Sequence, residues 1–289
     1  AGKARRFQEL QGSLRDLRAW LGHDVRSFAY PYGRSWDYND DTRALLAELG
    51  FRSAITAMPG LNDPSTDRHL PATFSANQLE GRQTCRRELQ RRLGLWQDDS
   101  RCIVAMVSRF APGKGLDLIE GMLERALKEM HIQVAFLGSG DPHVEWWLGE
   151  MQRKHPGVVG NWVGYHEDLA HILYAGSDLY LMPSLFEPCG LSQMYAMRYG
   201  SLPVVRRTGG LADTVWNYQE WDGGGDGFVF DDYRPESLYY TLGWAVSTFF
   251  DRPHHFKAMR HRVMSRDFSW DADVGKYEEV YRHAIAKIR

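Results

Sequence analysis

Two glycine-containing turns follow short apolar runs in the middle of the chain, and one of them carries a carboxylate. Glu187 and Gly190 lie in the first turn, after the largely apolar run 178–182, and residues 208–210 form the second, after the run 202–205. Such runs are typical of buried parallel strands. In open α/β sheets, ligands bind outside the carboxyl ends of the strands. We therefore expect Glu187 and the backbone amides beside Gly190 to face a bound ligand.

A pair of cations follows an earlier apolar run, at positions 103–107. Arg109 comes shortly after that run, and Lys114 stands between two glycines at the expected start of a helix. A guanidinium offers a fork of hydrogen-bond donors, an ammonium offers a point charge, and a helix N-terminus favours anions. Together they suit a pyrophosphate. The spacing alone also allows a solvated surface pair, so both interpretations stay open at this point.

Two further strand ends give weaker signals. Residues 138–141 (Gly-Ser-Gly-Asp) lack the third glycine of a dinucleotide fingerprint, so we interpret them as a plain turn between a strand and a helix. Tyr165 follows the next predicted strand. Its ring could stack on a nucleotide base or simply cover the edge of the core.

Apolar runs alternate with helical patterns through the C-terminal two-thirds of the chain. Strands are predicted to begin near Cys102, Ile132, Val158, Asp178, Leu202 and Gly227. A spacing of about 20 to 30 residues suits βαβ units with right-handed crossovers, which gives a doubly wound parallel sheet of Rossmann type. After the last strand, helices are predicted at 235–249, 253–265 and 270–288. The predicted fold class is α/β, with a small N-terminal α/β segment.

The composition changes near residue 62, and this change divides the chain. The first segment, 1–62, is predicted to contain a helix within 1–24, a strand at 25–30, a helix at 40–49 and a strand at 51–57. A turn-rich linker and a helix at 79–93 occupy residues 63–100. The Rossmann-type domain with its C-terminal helices occupies residues 101–289.

The bulk composition excludes several classes of protein. With 289 residues, of which 43% are apolar and 25% charged, the chain has the composition of a globular protein with a substantial core. The net charge of −2 gives no indication of a nucleic-acid or membrane-surface partner. The three cysteines have no C-x-x-C spacing, and no apolar run reaches about 18 residues. We therefore predict no disulfide framework, metal site or membrane span, and a cytoplasmic location.

The segment that contains both glycine turns resembles a known family. Residues 186–215, FEPCGLSQMYAMRYGSLPVVRRTGGLADTV, are similar to the signature segment of bacterial glycogen synthases and plant starch synthases, which are two-Rossmann (GT-B) glycosyltransferases. A looser resemblance extends from about Asp63 to about His283 and covers the C-terminal half of that family. It implies that residues 101–289 form a nucleotide-sugar-binding Rossmann domain.

The resemblance also implies a role for each candidate residue. Glu187 would sit beside the donor glucose and stabilise an oxocarbenium-like centre, while Arg109 and Lys114 would bind the diphosphate. Further contacts to the nucleotide sugar would come from Tyr165, Cys189, Gly190, Leu191, Ser192, Thr208, Gly209 and Gly210. The family pattern has threonine where this chain has Ser192, and the serine keeps the hydroxyl.

Members of this family transfer glucose from ADP-glucose to the nonreducing end of an α-1,4-glucan with retention of configuration, and they need no metal or other cofactor. The implied partners are ADP-glucose or ADP and a glucan, in the cytoplasm or, for a plant protein, the plastid. The K-x-G-G-L motif of the family's N-terminal domain does not occur in this sequence. We therefore expect weak ADP-glucose binding and little turnover by this polypeptide alone. A non-catalytic nucleotide-sugar-binding fragment or fusion product is the alternative.

The first 62 residues resemble a different family. Residues 27–33 (SFAYPYG) and 50–62 (GFRSAITAMPGLN) are similar to the C-terminal part of a polysaccharide deacetylase barrel. That activity requires a divalent metal, and the sequence has neither a paired-Asp motif upstream of these residues nor a His-x-x-x-His pattern. The missing ligands count against carbohydrate deacetylation, which is the second alternative and would require a bound metal.

Overall fold

The chain forms two compact units, Ala1–Leu61 and Asn62–Arg289. The structure, a computed structural model, describes residues 10–16, 18–19, 44, 46, 48–49, 63–268, 279 and 282–283, and the backbone of 27–29 and 53–55. In the first unit, residues 10–16 are helical, and strands β1 (Ser27–Ala29) and β2 (Ser53–Ile55) pair in parallel. Both strands fall within predicted ones. Most of the predicted segment 1–62 and of the predicted helix 270–288 lies outside the described residues.

A six-stranded parallel sheet forms the centre of the second unit. Its strands are β3 (Cys102–Val107), β4 (Ile132–Gly138), β5 (Val159–Val163), β6 (Leu179–Met182), β7 (Leu202–Arg206) and β8 (Phe228–Phe230). They lie in the order β5-β4-β3-β6-β7-β8, and every neighbouring pair is parallel. Each strand begins within one residue of its predicted position. The predicted doubly wound sheet is therefore confirmed.

Helices flank this sheet. Those described are α1 (Glu80–Arg92), α2 (Leu116–Glu129), α3 (Pro142–Lys154), α4 (Glu167–Gly176), α5 (Ser192–Arg198), α6 (Gly209–Thr214), α7 (Pro235–Asp251) and α8 (Pro253–Met264). Helix α1 packs against α4, and α2 packs against α7. None of the described helices combines the length and the apolar character needed to cross a membrane.

The hydrophobic pattern explains why these segments form layers. Strands β3 and β4 are buried over almost their whole length, because a parallel sheet is covered by helices on both faces. Helix α2 instead buries one stripe, which consists of residues at spacings of three and four. That stripe is Leu116, Leu118, Ile119, Met122, Leu123 and Ala126.

The strand order reverses between β3 and β6, and this reversal positions the site. From β3 the chain moves outward to β4 and β5, and it then returns to place β6 beside β3, with Val104 opposite Leu179. The loops that follow β3 and β6 therefore leave the same edge of the sheet and open a crevice between them. The charged residues predicted from these two strand ends share that crevice.

Candidate functional site

A cleft of about 350 Å³ lies at the carboxyl ends of β3 and β6. The loop after β3 contributes Arg109 and Lys114 to its lining, and the segment after β6 contributes Glu187. The turn before α5 adds Gly190 and Leu191, and the first residue of α5 adds Ser192. The cleft thus brings together the three charged residues that the sequence analysis took from separate strand ends.

Lys114 and Glu187 form an ion pair inside this cleft. The Nζ atom of Lys114 lies 2.7 Å from Oε2 of Glu187, and the hydroxyl of Ser184 donates to the same oxygen at 3.2 Å. Glu187 is buried, with 8% of its surface exposed. The ammonium and the hydroxyl offset the cost of removing that carboxylate from water. The pair fixes a negative charge in the cleft and leaves Lys114 with further donors for an anion.

The two loops that carry this ion pair pack directly on each other. The N–H group of Leu185 donates to the carbonyl of Gly113 at 2.8 Å. A Cβ atom at Gly115 would lie 2.2 Å from the carbonyl oxygen of Pro183, and the φ angle of 78° there also favours glycine. Lys114 lies between these two contacts. Its backbone is therefore fixed against the segment that leads to Glu187.

Arg109 lies in the cleft lining but outside the ion pair. Arg109 is exposed, and no carboxylate in the described part of the chain pairs with its guanidinium. An exposed guanidinium is free to take up two oxygens of an anion at little desolvation cost. Its contact with a ligand stays a prediction.

The second glycine turn packs against the first. Gly210 N–H donates to the carbonyl of Glu187 at 3.0 Å. A Cβ atom at Gly209 would lie 2.1 Å from the Glu187 carbonyl oxygen, and one at Gly210 would lie 2.0 Å from that of Cys189. The two glycines therefore permit a close backbone contact that holds Glu187 in place. The sequence analysis proposed them only as ligand contacts and did not anticipate this role.

Five of the predicted ligand-binding residues lie outside the cleft lining: Tyr165, Cys189, Thr208, Gly209 and Gly210. Tyr165 follows β5, two strands away from β3, and is 88% exposed. Cys189 is exposed beside Gly190. Thr208 precedes α6, and its hydroxyl lies 3.5 Å from the Leu185 carbonyl oxygen. Their contacts with a ligand, like those of Gly209 and Gly210, stay predictions.

The sequence analysis misses other residues of the cleft. Ser184 follows the end of β6 by two positions, so its place at a strand end was an available signal. Tyr195 lies inside α5, where nothing distinguishes it from a packing residue. Tyr180 donates its hydroxyl to the Val107 carbonyl at 2.9 Å beside the cleft. Burial raises the pKa of Tyr180, which keeps it a neutral donor.

The Gly-Ser-Gly-Asp turn serves backbone packing. A Cβ atom at Gly138 would lie 1.8 Å from the Ser108 carbonyl oxygen, and one at Gly140 would lie 2.3 Å from that of Phe110. Asp141 begins helix α3 by accepting the N–H of residue 143 at 2.8 Å. These contacts account for the glycines as parts of a turn between a strand and a helix.

Replacing Gly210 with alanine is expected to lower the free energy of unfolding by about 1–3 kcal/mol. The added methyl group would overlap the Cys189 carbonyl, which belongs to the backbone and cannot rotate away. Gly149→Ala is the matched control, because a Cβ atom at Gly149 meets nothing within 4 Å. Inside helix α3, that change should raise stability by about 0.5–1 kcal/mol. Urea unfolding measures both, and equal stabilities for the two variants would contradict the packing described.

The fold and the cleft together define a class of protein. A doubly wound sheet binds its ligand where the strand order reverses, and here that place holds two cations and a carboxylate. Such a site suits group transfer from a phosphorylated ligand, because the cations can bind the leaving phosphate and the carboxylate can stabilise a developing cation. Residues 89–248 match the family described as "Glycosyl transferases group 1", and the chain belongs to this family.

Among known proteins, the chain is similar to glycogen synthases. It is 39% identical to glycogen synthase 1 of Geobacter sulfurreducens over 256 residues, which cover 87% of this chain and 50% of that protein. It is 45% identical to the glycogen synthase of an Anaeromyxobacter species over 224 residues, which cover 78% of this chain and 46% of the relative. The chain thus spans about half the length of the curated relatives it matches.

A solved structure shows the same relationship. The catalytic domain of starch synthase IV from Arabidopsis thaliana, bound to ADP and acarbose, matches with a TM-score of 0.71 and 32% sequence identity. The match covers 85% of this chain and 51% of that one. The resemblance to glycogen and starch synthases is therefore confirmed. The resemblance of residues 1–62 to a polysaccharide deacetylase stays a prediction.

Proposed function

We propose that the cleft binds ADP-glucose and that this chain supplies the donor-binding half of a glycosyltransferase of the glycogen or starch synthase type. The reaction would transfer glucose to the nonreducing end of an α-1,4-glucan with retention of configuration. The observation that carries the proposal is the 2.7 Å ion pair between Lys114 and Glu187 at the point where the strand order reverses. Similarity to a starch synthase whose structure holds ADP and acarbose supports the choice of nucleotide and glucan.

The two cations would bind the diphosphate. Arg109 is exposed at the cleft and offers two parallel donors to phosphate oxygens. Lys114 keeps further donors while one of them is bonded to Glu187. Both would lower the barrier, because negative charge accumulates on ADP as its bond to the sugar breaks.

Glu187 would act on the sugar. A negative charge beside the anomeric carbon stabilises the oxocarbenium-like cation that develops there. The ion pair places this carboxylate directly beside the ammonium that would hold the leaving phosphate. The positive charge on the sugar and the negative charge on the phosphate would therefore each face a group of opposite sign.

Backbone amides would complete the donor site. Those of residues 189–191 would hold the sugar hydroxyls, and residues 208–210 would contact the distal phosphate. Helices α5 and α6, which follow these two turns, have only 7 and 6 residues. Because helices this short have weak dipoles, individual N–H groups would supply the binding energy. The hydroxyl of Ser192 lines the cleft and would reach a phosphate or the ribose.

Calorimetric titration of the full chain with ADP-glucose tests this proposal. We expect saturable binding of ADP-glucose and ADP, and none of glucose alone. A parallel titration with UDP-glucose measures the nucleotide preference. A glucan-elongation assay on the same protein then separates two outcomes, since elongation supports the enzyme and binding without elongation supports the non-catalytic fragment. Failure of both nucleotide sugars to bind would reject the donor site.

Alkylation of the cysteines probes the same turn independently. Burial raises the pKa of Cys85 to about 11 and holds that of Cys102 well above its usual value, whereas Cys189 is exposed. Iodoacetamide should therefore modify Cys189 first, and Cys85 should react more slowly than a free thiol by roughly 100-fold or more, because its thiolate fraction is lower and its side chain is buried. ADP-glucose should slow the reaction of Cys189, as measured by peptide mass spectrometry. Unchanged rates under conditions where calorimetry detects binding would place the sugar away from this turn.

A further inference from the structure

A histidine from the segment before α1 meets the first turns of α4, away from the cleft. His69, Glu167 and His171 each offer one potential metal-ligand atom, and these atoms lie within 4.8 Å of one another. Glu167 and His171 are four residues apart on α4, so their side chains share one face of the helix. The sequence does not reveal this cluster, because His69 is far from Glu167 and His171 in the chain and only the fold brings it to them.

A carboxylate orients each of the two histidine rings. Nδ1 of His69 lies 2.6 Å from Oδ1 of Asp168, and Nδ1 of His171 lies 2.6 Å from Oδ2 of Asp67. Because a carboxylate only accepts hydrogen bonds, each Nδ1 carries a proton, and in a neutral ring Nε2 keeps its lone pair. Histidines that bind metals usually show this pattern, with a carboxylate on one nitrogen and the metal on the other.

The orienting carboxylates are themselves held in place. The hydroxyl of Tyr199 donates to Oδ2 of Asp67 at 2.5 Å, and the backbone N–H of His69 donates to Oδ1 of Asp67 at 2.8 Å. The arrangement is crossed, because Asp67 of the segment holds His171 of the helix and Asp168 of the helix holds His69 of the segment. This crossing fixes both rings before any ligand binds.

The two rings lie close together, and each leaves its Nε2 atom open to a ligand. Their centroids lie 4.7 Å apart. Within the described part of the chain, no group forms a hydrogen bond with Nε2 of His69 or His171. Their side chains are 19% and 13% exposed, and Glu167 is exposed, so an ion can reach the cluster from solvent.

We propose that His69, Glu167 and His171 bind a divalent transition-metal ion and that zinc fits the site best. Zinc accepts two imidazole nitrogens and one carboxylate oxygen, with water in the fourth position, whereas Mg²⁺ and Ca²⁺ require mostly oxygen ligands. Ligands of tetrahedral zinc lie about 3.4 Å apart, so the cluster must contract by roughly 1 Å. The bound ion would tie the segment before α1 to α4. This role is separate from the donor site and does not depend on it.

Cobalt titration of the full chain tests the site, since Co²⁺ replaces Zn²⁺ and gives visible ligand-field bands. We expect one equivalent of Co²⁺ to produce intense bands that Zn²⁺ removes and Mg²⁺ does not. Zinc should also raise the Tm by a few degrees, because it binds the folded state. Absence of cobalt bands in the unsubstituted protein would overturn the proposal.

Three variants locate the ion. Glu167→Gln and His69→Gln should each weaken zinc binding by at least about tenfold and abolish the rise in Tm. Glu167 is exposed, so its variant is expected to fold even if another variant does not. His143→Gln is the control, because His143 pairs with Glu120 at 3.3 Å and lies outside the cluster. This variant should bind zinc with the affinity of the unsubstituted protein. Bands that persist at full strength in both cluster variants would place the ion elsewhere and overturn the proposal.

Discussion

Lys114→Met should weaken the binding of ADP-glucose by about 10–150-fold, which corresponds to about 1.5–3 kcal/mol for a hydrogen bond to a charged group. The variant loses an ammonium donor to the diphosphate. It also leaves the buried carboxylate of Glu187 without its cation, so that an uncompensated negative charge faces an anionic ligand. Both effects act in the same direction. Calorimetry at a fixed ionic strength measures the loss.

Lys128→Met is the matched control for this experiment. Lys128 is exposed in the last turn of α2, the helix that begins just after Lys114, and lies about 20 Å further along its axis. The substitution changes the net charge by the same amount, and at that distance salt screens most of the effect. Affinity should stay within about twofold. An equal loss in both variants would indicate a long-range effect of net charge instead of the ion pair.

Glu187→Gln separates the two effects of Lys114→Met, which are the loss of an ammonium donor and the exposure of the ligand to an unpaired carboxylate. Glutamine is neutral and has the same shape, so ADP should bind as tightly as before or more tightly, while any glucan elongation should fall by about 100-fold or more. The double variant with Lys114→Met should bind ADP better than Lys114→Met alone, because the repelling carboxylate is gone. A coupling of about 0.5–3 kcal/mol is expected. Strictly additive effects would show that the two side chains do not act as a pair.

The strand positions and the meeting of Arg109, Lys114 and Glu187 could be predicted from the sequence because both depend on local patterns. Buried parallel strands are continuous apolar runs, so each of β3 to β8 begins within one residue of its expected position. Once the sheet is parallel and doubly wound, its topology brings the carboxyl ends of β3 and β6 to one crevice. No knowledge of individual side-chain contacts is needed for that step.

Contacts between distant segments could not be predicted in this way. The two adjacent glycines 209 and 210 indicate a close approach of the backbone, but the sequence does not say that Glu187 and Cys189 are what they approach. Strands β3, β4 and β5 and helices α1, α2 and α3 lie between His69 and His171 in the chain, and neither histidine has a local pattern that marks it. Charged residues that pair across the fold likewise look like ordinary surface residues in the sequence.

A buried carboxylate at the start of β6, at the edge of the sheet opposite the cleft, shows how much such pairing matters. Asp178 accepts hydrogen bonds from Arg86 at 2.5 Å, from Arg260 at 2.9 Å and from the Ile103 N–H at 3.0 Å. One side chain thereby connects β6 to α1, α8 and β3. Burial alone would raise the pKa of Asp178, but the two guanidinium groups and the N–H group outweigh burial and hold the pKa below its usual value.

Asp178→Asn should therefore lower the free energy of unfolding by about 3–5 kcal/mol at pH 7, because it leaves buried guanidinium groups without a counter-ion. The folded-state pKa is lower than the unfolded one, so the contribution of this carboxylate is fully present above about pH 4 and is lost as the pH falls through the folded pKa. Urea unfolding at pH 7 and pH 3 should show a large difference between unsubstituted protein and variant that shrinks in acid. Asp251→Asn, an exposed change at the end of α7, should alter stability by no more than about 0.5 kcal/mol at either pH. If the loss in Asp178→Asn were as large at pH 3 as at pH 7, packing would be the cause and not charge.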